Sequence, residues 1–192
     1  MSPIPGIVAS QISGHLAVAN SYESIATSTP TSGSSITFSS IPSTYKRLQI
    51  RCIAQTDRAT YPISVSTMQF NGDTSSSNYT IHYLQGDGSG VQATQSTPSG
   101  QVYVGYYASN AATNVFGVSI VDVLNYTDTS KYKAVRTING FDTGGNSNAN
   151  GNTGLWAGTW LNSSAVTSIT MSFIFGSNFQ SGTKFALYGI KG

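Results

Sequence analysis

Apolar and polar residues alternate with a period of two through most of this chain. The clearest run covers residues 45–55, where Leu48, Ile50, Cys52 and Ala54 alternate with Arg47, Gln49, Arg51 and Ile53. That spacing sends one set of side chains to each face of a strand, so it predicts a half-buried β-strand. The same reasoning predicts strands over 21–27, 35–38, 65–70, 79–85, 101–107, 114–124, 131–141, 155–161, 167–175 and 184–191. In 101–107, Val102, Val104 and Tyr106 oppose Tyr103 and Tyr107; in 167–175, Ile169, Met171, Phe173 and Phe175 form the inward face. The segment 114–124 is the most continuously apolar and reads as a central strand. Asn71-Gly72-Asp73 and the run 86–90 (GDGSG) are turn signals. No window carries helical periodicity. About ten strands with turns every 8–12 residues predict an all-β fold, an antiparallel β-sandwich or jelly roll.

Two stretches fall outside this pattern. Residues 1–20 read as an extended N-terminal arm, separate from a single β-sandwich domain over 21–192. Pro3 and Pro5 fix their own φ and restrict the residue before them, which keeps the backbone extended. Ile4, Ile7, Val8, Ile12 and Leu16 make the arm apolar. An exposed apolar arm invites aggregation unless a neighbour covers it, so these five side chains are the expected contacts between subunits. The second stretch, TGGNSNANGNT over 143–153, is polar, low in complexity and long for a hairpin loop. Its Asn146, Asn148, Asn150 and Asn152 are candidate residues of a contact loop.

Composition narrows the function classes. A chain of 192 residues suits one domain, and its eleven Tyr, eight Phe and two Trp suffice to fill a sandwich. Charged residues make up 8% and the net charge is +2, so no strong field draws nucleic acid or an anionic membrane. Such a surface meets another protein without stripping water from many ions. The single cysteine, Cys52, falls on the apolar face of its strand and reads as a buried thiol. One cysteine makes neither an intrachain disulfide nor a thiolate zinc site. The first residues lack a basic n-region and a sustained apolar core, so no secretory leader is expected. No stretch approaches the roughly 20 apolar residues of a membrane helix.

The residues that carry chemistry are few: Glu23, six Asp, His15 and His82. There is no Gly-x-Ser-x-Gly elbow, no His-Glu-x-x-His and no phosphate-binding loop. The glycines at 86, 88 and 90 link two strands and open no helix, so they offer no helix terminus to a phosphate. Asp73 and Asp87 lack the oxygen spacing of a calcium loop. Asp122, inside an apolar stretch, is expected to face solvent or to pair with Arg51 or Arg136. Catalytic residues, metal and cofactor are therefore expected to be absent. Trp156 and Trp160 lie four apart on one strand face, where the core is the expected destination and an aromatic platform for sugars the alternative.

The strings SSITFSSIPSTYKRLQIR (34–51), KFALYGIK (184–191), IPGIVASQISGH (4–15) and FNGD (70–73) resemble virion structural proteins of tailed bacteriophages. The resemblance spans nearly the whole chain and is poorly specific for position on the particle. It implies a β-sandwich on the virion exterior without catalysis. The expected role is a capsid cement or decoration protein, a homotrimer on the outer capsid surface that binds the major capsid protein and stiffens the shell. Neighbouring copies would be stapled through their arms. The alternative is a tail-fibre or receptor-binding component that recognises a host surface glycan.

Overall fold

The computed structural model describes residues 21–96, 100–144 and 151–191. Twelve strands run through them: β1 (Tyr22–Ser28), β2 (Ser35–Phe38), β3 (Arg47–Ala54), β4 (Ile63–Phe70), β5 (Tyr79–Gly86), β6 (Val91–Ser96), β7 (Val102–Ala108), β8 (Gly117–Leu124), β9 (Lys133–Asp142), β10 (Gly151–Trp160), β11 (Ile169–Phe173) and β12 (Lys184–Ile190). They form an eight-stranded sheet, ordered β1-β12-β3-β8-β9-β10-β5-β6, and a four-stranded sheet, β2-β11-β4-β7. Every pairing is antiparallel.

The order has a simple logic. With β5, β6, β9 and β10 set aside, β1-β12-β3-β8 faces β2-β11-β4-β7. That is the arrangement of an eight-stranded jelly roll: successive strands alternate between sheets except where β4 is followed by β7 within the small one, and the last returns beside the first. The four remaining strands are two insertions, one after β4 and one after β8. Both extend the larger sheet beyond β8, as β9-β10 and then β5-β6. The smaller sheet gains no matching strands.

The core lies where the two sheets overlap. Leu48, Ile50, Val121, Val123, Phe185 and Leu187 point inward from the large sheet and meet Met68, Phe70, Val104, Ile169, Met171 and Phe173 from the small one. Tyr107, Phe173, Phe179 and Phe185 form a chain of edge-to-face rings at 5.4, 5.5 and 5.4 Å. Cys52 is buried as the alternation requires, in hydrogen-bond contact with Tyr107 Oη and Ser119 Oγ. Burial pushes its thiol above the ordinary value against those two partners.

Four local expectations are corrected. Residues 91–96, absent from the expected strands, form β6: its ladder with β5 supplies the partners that VQATQS does not advertise. β10 begins at Gly151, inside the polar stretch, because residues 151–153 find backbone partners on β9. In β7 a bulge opposite Ser66/Thr67 shifts the alternation, so Tyr107, and not Tyr106, joins Val102 and Val104 in the core. Phe175 leaves the inward row of β11: it sits in a 3-10 turn at φ 74° and is 64% exposed.

Candidate interaction surface

The outer face of the large sheet has no second layer among the described residues. On β8 the continuous apolar run splits between faces: Val121 and Val123 enter the core, while Val118 and Ile120 point outward. Register then aligns the outward residues of successive strands. Ile120 lies opposite Ile138, Ile138 opposite Leu155, Leu155 opposite Leu84, and Leu84 opposite Ala93. One row of apolar side chains thus crosses five strands. Its four large members and Val118 beside them are between 45% and 58% exposed. Isolated exposed apolar residues are ordinary, but a contiguous strip of them marks an interaction surface.

Two concavities follow the row. One of ≈ 760 Å³ is lined by His82, Leu84, Gln95, Arg136, Leu155 and Ala157 among others. A second of ≈ 350 Å³ lies between Val118, Ile120 and Ile138. A polar row borders the apolar one. There Arg136 Nη2 donates to Asp122 Oδ2 at 2.8 Å, Gln49 Nε2 donates to Asp122 Oδ1 at 2.9 Å, and Arg51 Nε donates to Gln49 Oε1 at 2.8 Å. Burial pushes the Asp122 carboxyl up; the hydrogen bonds from Arg136 and Gln49 and the charges of Arg136 and Arg47 outweigh it, holding the group below its ordinary value. Of the two partners expected for Asp122, Arg136 is the direct one, and Arg51 acts through Gln49. Farther along, the Arg51 guanidinium packs over the rings of Tyr22 and Tyr188 at 5.1 and 5.2 Å.

Other expected site residues are placed as follows. Ile4, Ile7, Val8, Ile12 and Leu16 of the arm, and Asn146, Asn148 and Asn150 of the contact loop, lie outside the described residues. Asn152 is corrected from loop to strand: it is buried in β10, its amide within 3.4 Å of Gln85 Oε1. Trp156 is 2% exposed and Trp160 1%, so neither shows solvent a ring on which a sugar could stack. Trp156 stacks on Tyr83 at 4.4 Å and donates to Asn139 Oδ1 at 2.7 Å. Trp160 packs against Phe70 and donates to Asp73 Oδ2 at 2.7 Å. Lys133, unremarked in the sequence, is buried with its ammonium donating to the carbonyls of Asp128, Lys131 and Ser163. Among the described residues no group of three or more His, Cys, Asp or Glu is placed to hold a metal ion, and no helix is long and apolar enough to cross a membrane.

No protein-family model, curated protein or solved structure matches this chain.

Proposed function

We propose that this chain is a non-enzymatic structural protein of a tailed-bacteriophage particle: a cement or decoration protein seated in several copies on the outer capsid surface. The observation that carries the reading is the apolar row Ile120–Ile138–Leu155–Leu84. A rigid sheet holds these side chains level, and few ionised groups stand close enough to resist being covered. Each large side chain removed from water contributes about 25 cal/mol per Å² of apolar area, while an ion in the same place would cost several kcal/mol. Such a surface suits persistent packing against protein. The resemblance of residues 4–15, 34–51, 70–73 and 184–191 to virion proteins supplies the particle.

The receptor-binding alternative named Trp156 and Trp160 as its glycan platform, and their burial leaves that reading without those residues. The deciding experiment is immunogold labelling of intact virions with an antibody raised against this domain. Gold over the head is the expected result; gold confined to the tail would remove the capsid reading.

A further inference from the structure

Building on the reading of this chain as a multi-copy surface protein, we infer that the apolar row on the large sheet is the seat for the N-terminal segment of a second copy. Three observations meet here. First, the two surfaces match in character. Residues 1–20 contain no Asp, Glu, Lys or Arg, and Ile4, Ile7, Val8, Ile12 and Leu16 recur through them. The row from Ile120 to Ala93 that they would cover is equally free of charge; its ionised neighbours are the bordering Asp122–Arg136 pair and Arg51, which lies opposite Ile120 at the β3 end of the row.

Second, the lengths suffice. From β8 to β6 the row crosses four strand spacings, about 19 Å. Residues 4–16, extended, reach about 43 Å. The segment spans the row with residues to spare for a link between molecules.

Third, chain direction favours a neighbour over the segment's own sheet. Tyr22 opens β1 opposite Ile190, level with Arg47 and Leu124. Ile120 lies level with Arg51 and Ala186, four residues along the sheet toward the far end of β1. The amide of Lys191 donates to the carbonyl of Ser21 at 3.0 Å, which carries the β1–β12 ladder one residue further away from the row. At Ser21 the chain is therefore heading off the sheet. To reach its own row it would have to reverse and cross β12 and β3, past the Tyr22–Arg51–Tyr188 stack. A neighbouring copy presents its row without that reversal, and repetition of the contact links one subunit to the next.

Cysteine cross-linking tests this on the full chain, because Cys52 is its sole cysteine and is buried. One preparation carries Ile7→Cys; a second, distinguished by a mass tag, carries Leu155→Cys, a half-exposed position whose change leaves the core intact. Thermal melts confirm that both fold. On mixing and mild oxidation, the expected product is the mixed disulfide between the two preparations. Adding Ile138→Ser to the second should lower its yield about tenfold, since a large apolar contact is lost. A chain carrying both cysteines that closes on itself at every dilution would overturn the inference in favour of the segment's own sheet. Absence of the mixed disulfide, with Ile138→Ser still stripping the protein from particles, would overturn it in favour of another occupant and leave the capsid reading standing. Gold confined to the tail, together with the mixed disulfide, would do the reverse.

Discussion

The indole of Trp160 donates a hydrogen bond to the carboxylate of Asp73 at 2.7 Å, tying the end of β10 to the turn that follows β4. The same carboxylate accepts from Asn78 Nδ2 and from the backbone N–H of Ser75, and the ring of Trp160 packs on Phe70. One aspartate thus fastens an inserted hairpin to the jelly-roll framework. Asp73→Ala leaves the buried indole N–H without an acceptor and should cost roughly 1–3 kcal/mol. Asp73→Asn keeps an acceptor oxygen and should cost less. Thermal melts followed by tryptophan fluorescence distinguish the two.

Acid should destabilise the fold through the same kind of group. Burial raises Asp73, but its hydrogen bonds from Trp160, Asn78 and Ser75 hold it below the ordinary value, and Asp122 is lowered likewise. A carboxyl depressed in the folded state contributes stability that is fully present above its unfolded value, about 3.9, and is lost as pH falls through the lower folded value. The melting temperature should therefore hold steady from pH 7 to about 5 and drop below about pH 4. Asp122→Asn should flatten part of that drop; a melting curve with the same pH slope in the variant would count against the assignment.

Gly189 is a position where the fold tolerates no side chain. A Cβ there would lie 2.3 Å from the ring of Tyr45. Tyr45 is itself buried, and its N–H donates to Tyr126 Oη, which donates onward to the carbonyl of Pro42. Gly189→Ala should cost about 1–3 kcal/mol. Combined with Tyr45→Ala, the two losses should total less than their sum, because the second change makes room for the first.

Changes on the outer row should separate stability from assembly. Ile138→Ser with Leu155→Ser alters only half-exposed side chains, and unfolding in urea should shift by no more than about 1 kcal/mol. Co-sedimentation with capsids should fall sharply. If binding survives the double change, this face is not the contact.

A chain that starts at Ser21 should fold as the full chain does, since β1 begins at Tyr22 and the core draws on residues from Ile25 onward. Its circular dichroism and melting midpoint should match, while its oligomer dissociates on a sizing column. A truncated chain that keeps its oligomeric state would show that residues 1–20 are not the link.

The strands and the sandwich were legible because strict alternation, as in β3, depends only on which residues face inward. The strip that forms the candidate surface was not legible. Ile120, Ile138, Leu155 and Leu84 lie on four strands scattered along the sequence, and only the register of the folded ladders sets them side by side. One trace of it was present: a run apolar on both faces, as in β8, asks what covers its second face. The errors share a cause. Tyr107, Phe175 and β6 each depend on a bulge, a left-handed turn or a backbone partner, none of which side-chain periodicity records.

The pairing of β1 with β12 also governs when the molecule becomes competent. Tyr22 meets Ile190 and Ser28 meets Phe185, so the first of the described strands finds its ladder only in the last of them. Pairings so distant in sequence form late, and their edges stay open meanwhile. The point at which the N-terminal segment joins the sandwich is thus fixed only once synthesis of the domain is complete. On the proposed reading, a nascent chain therefore has no anchored N-terminal segment to offer a neighbouring copy.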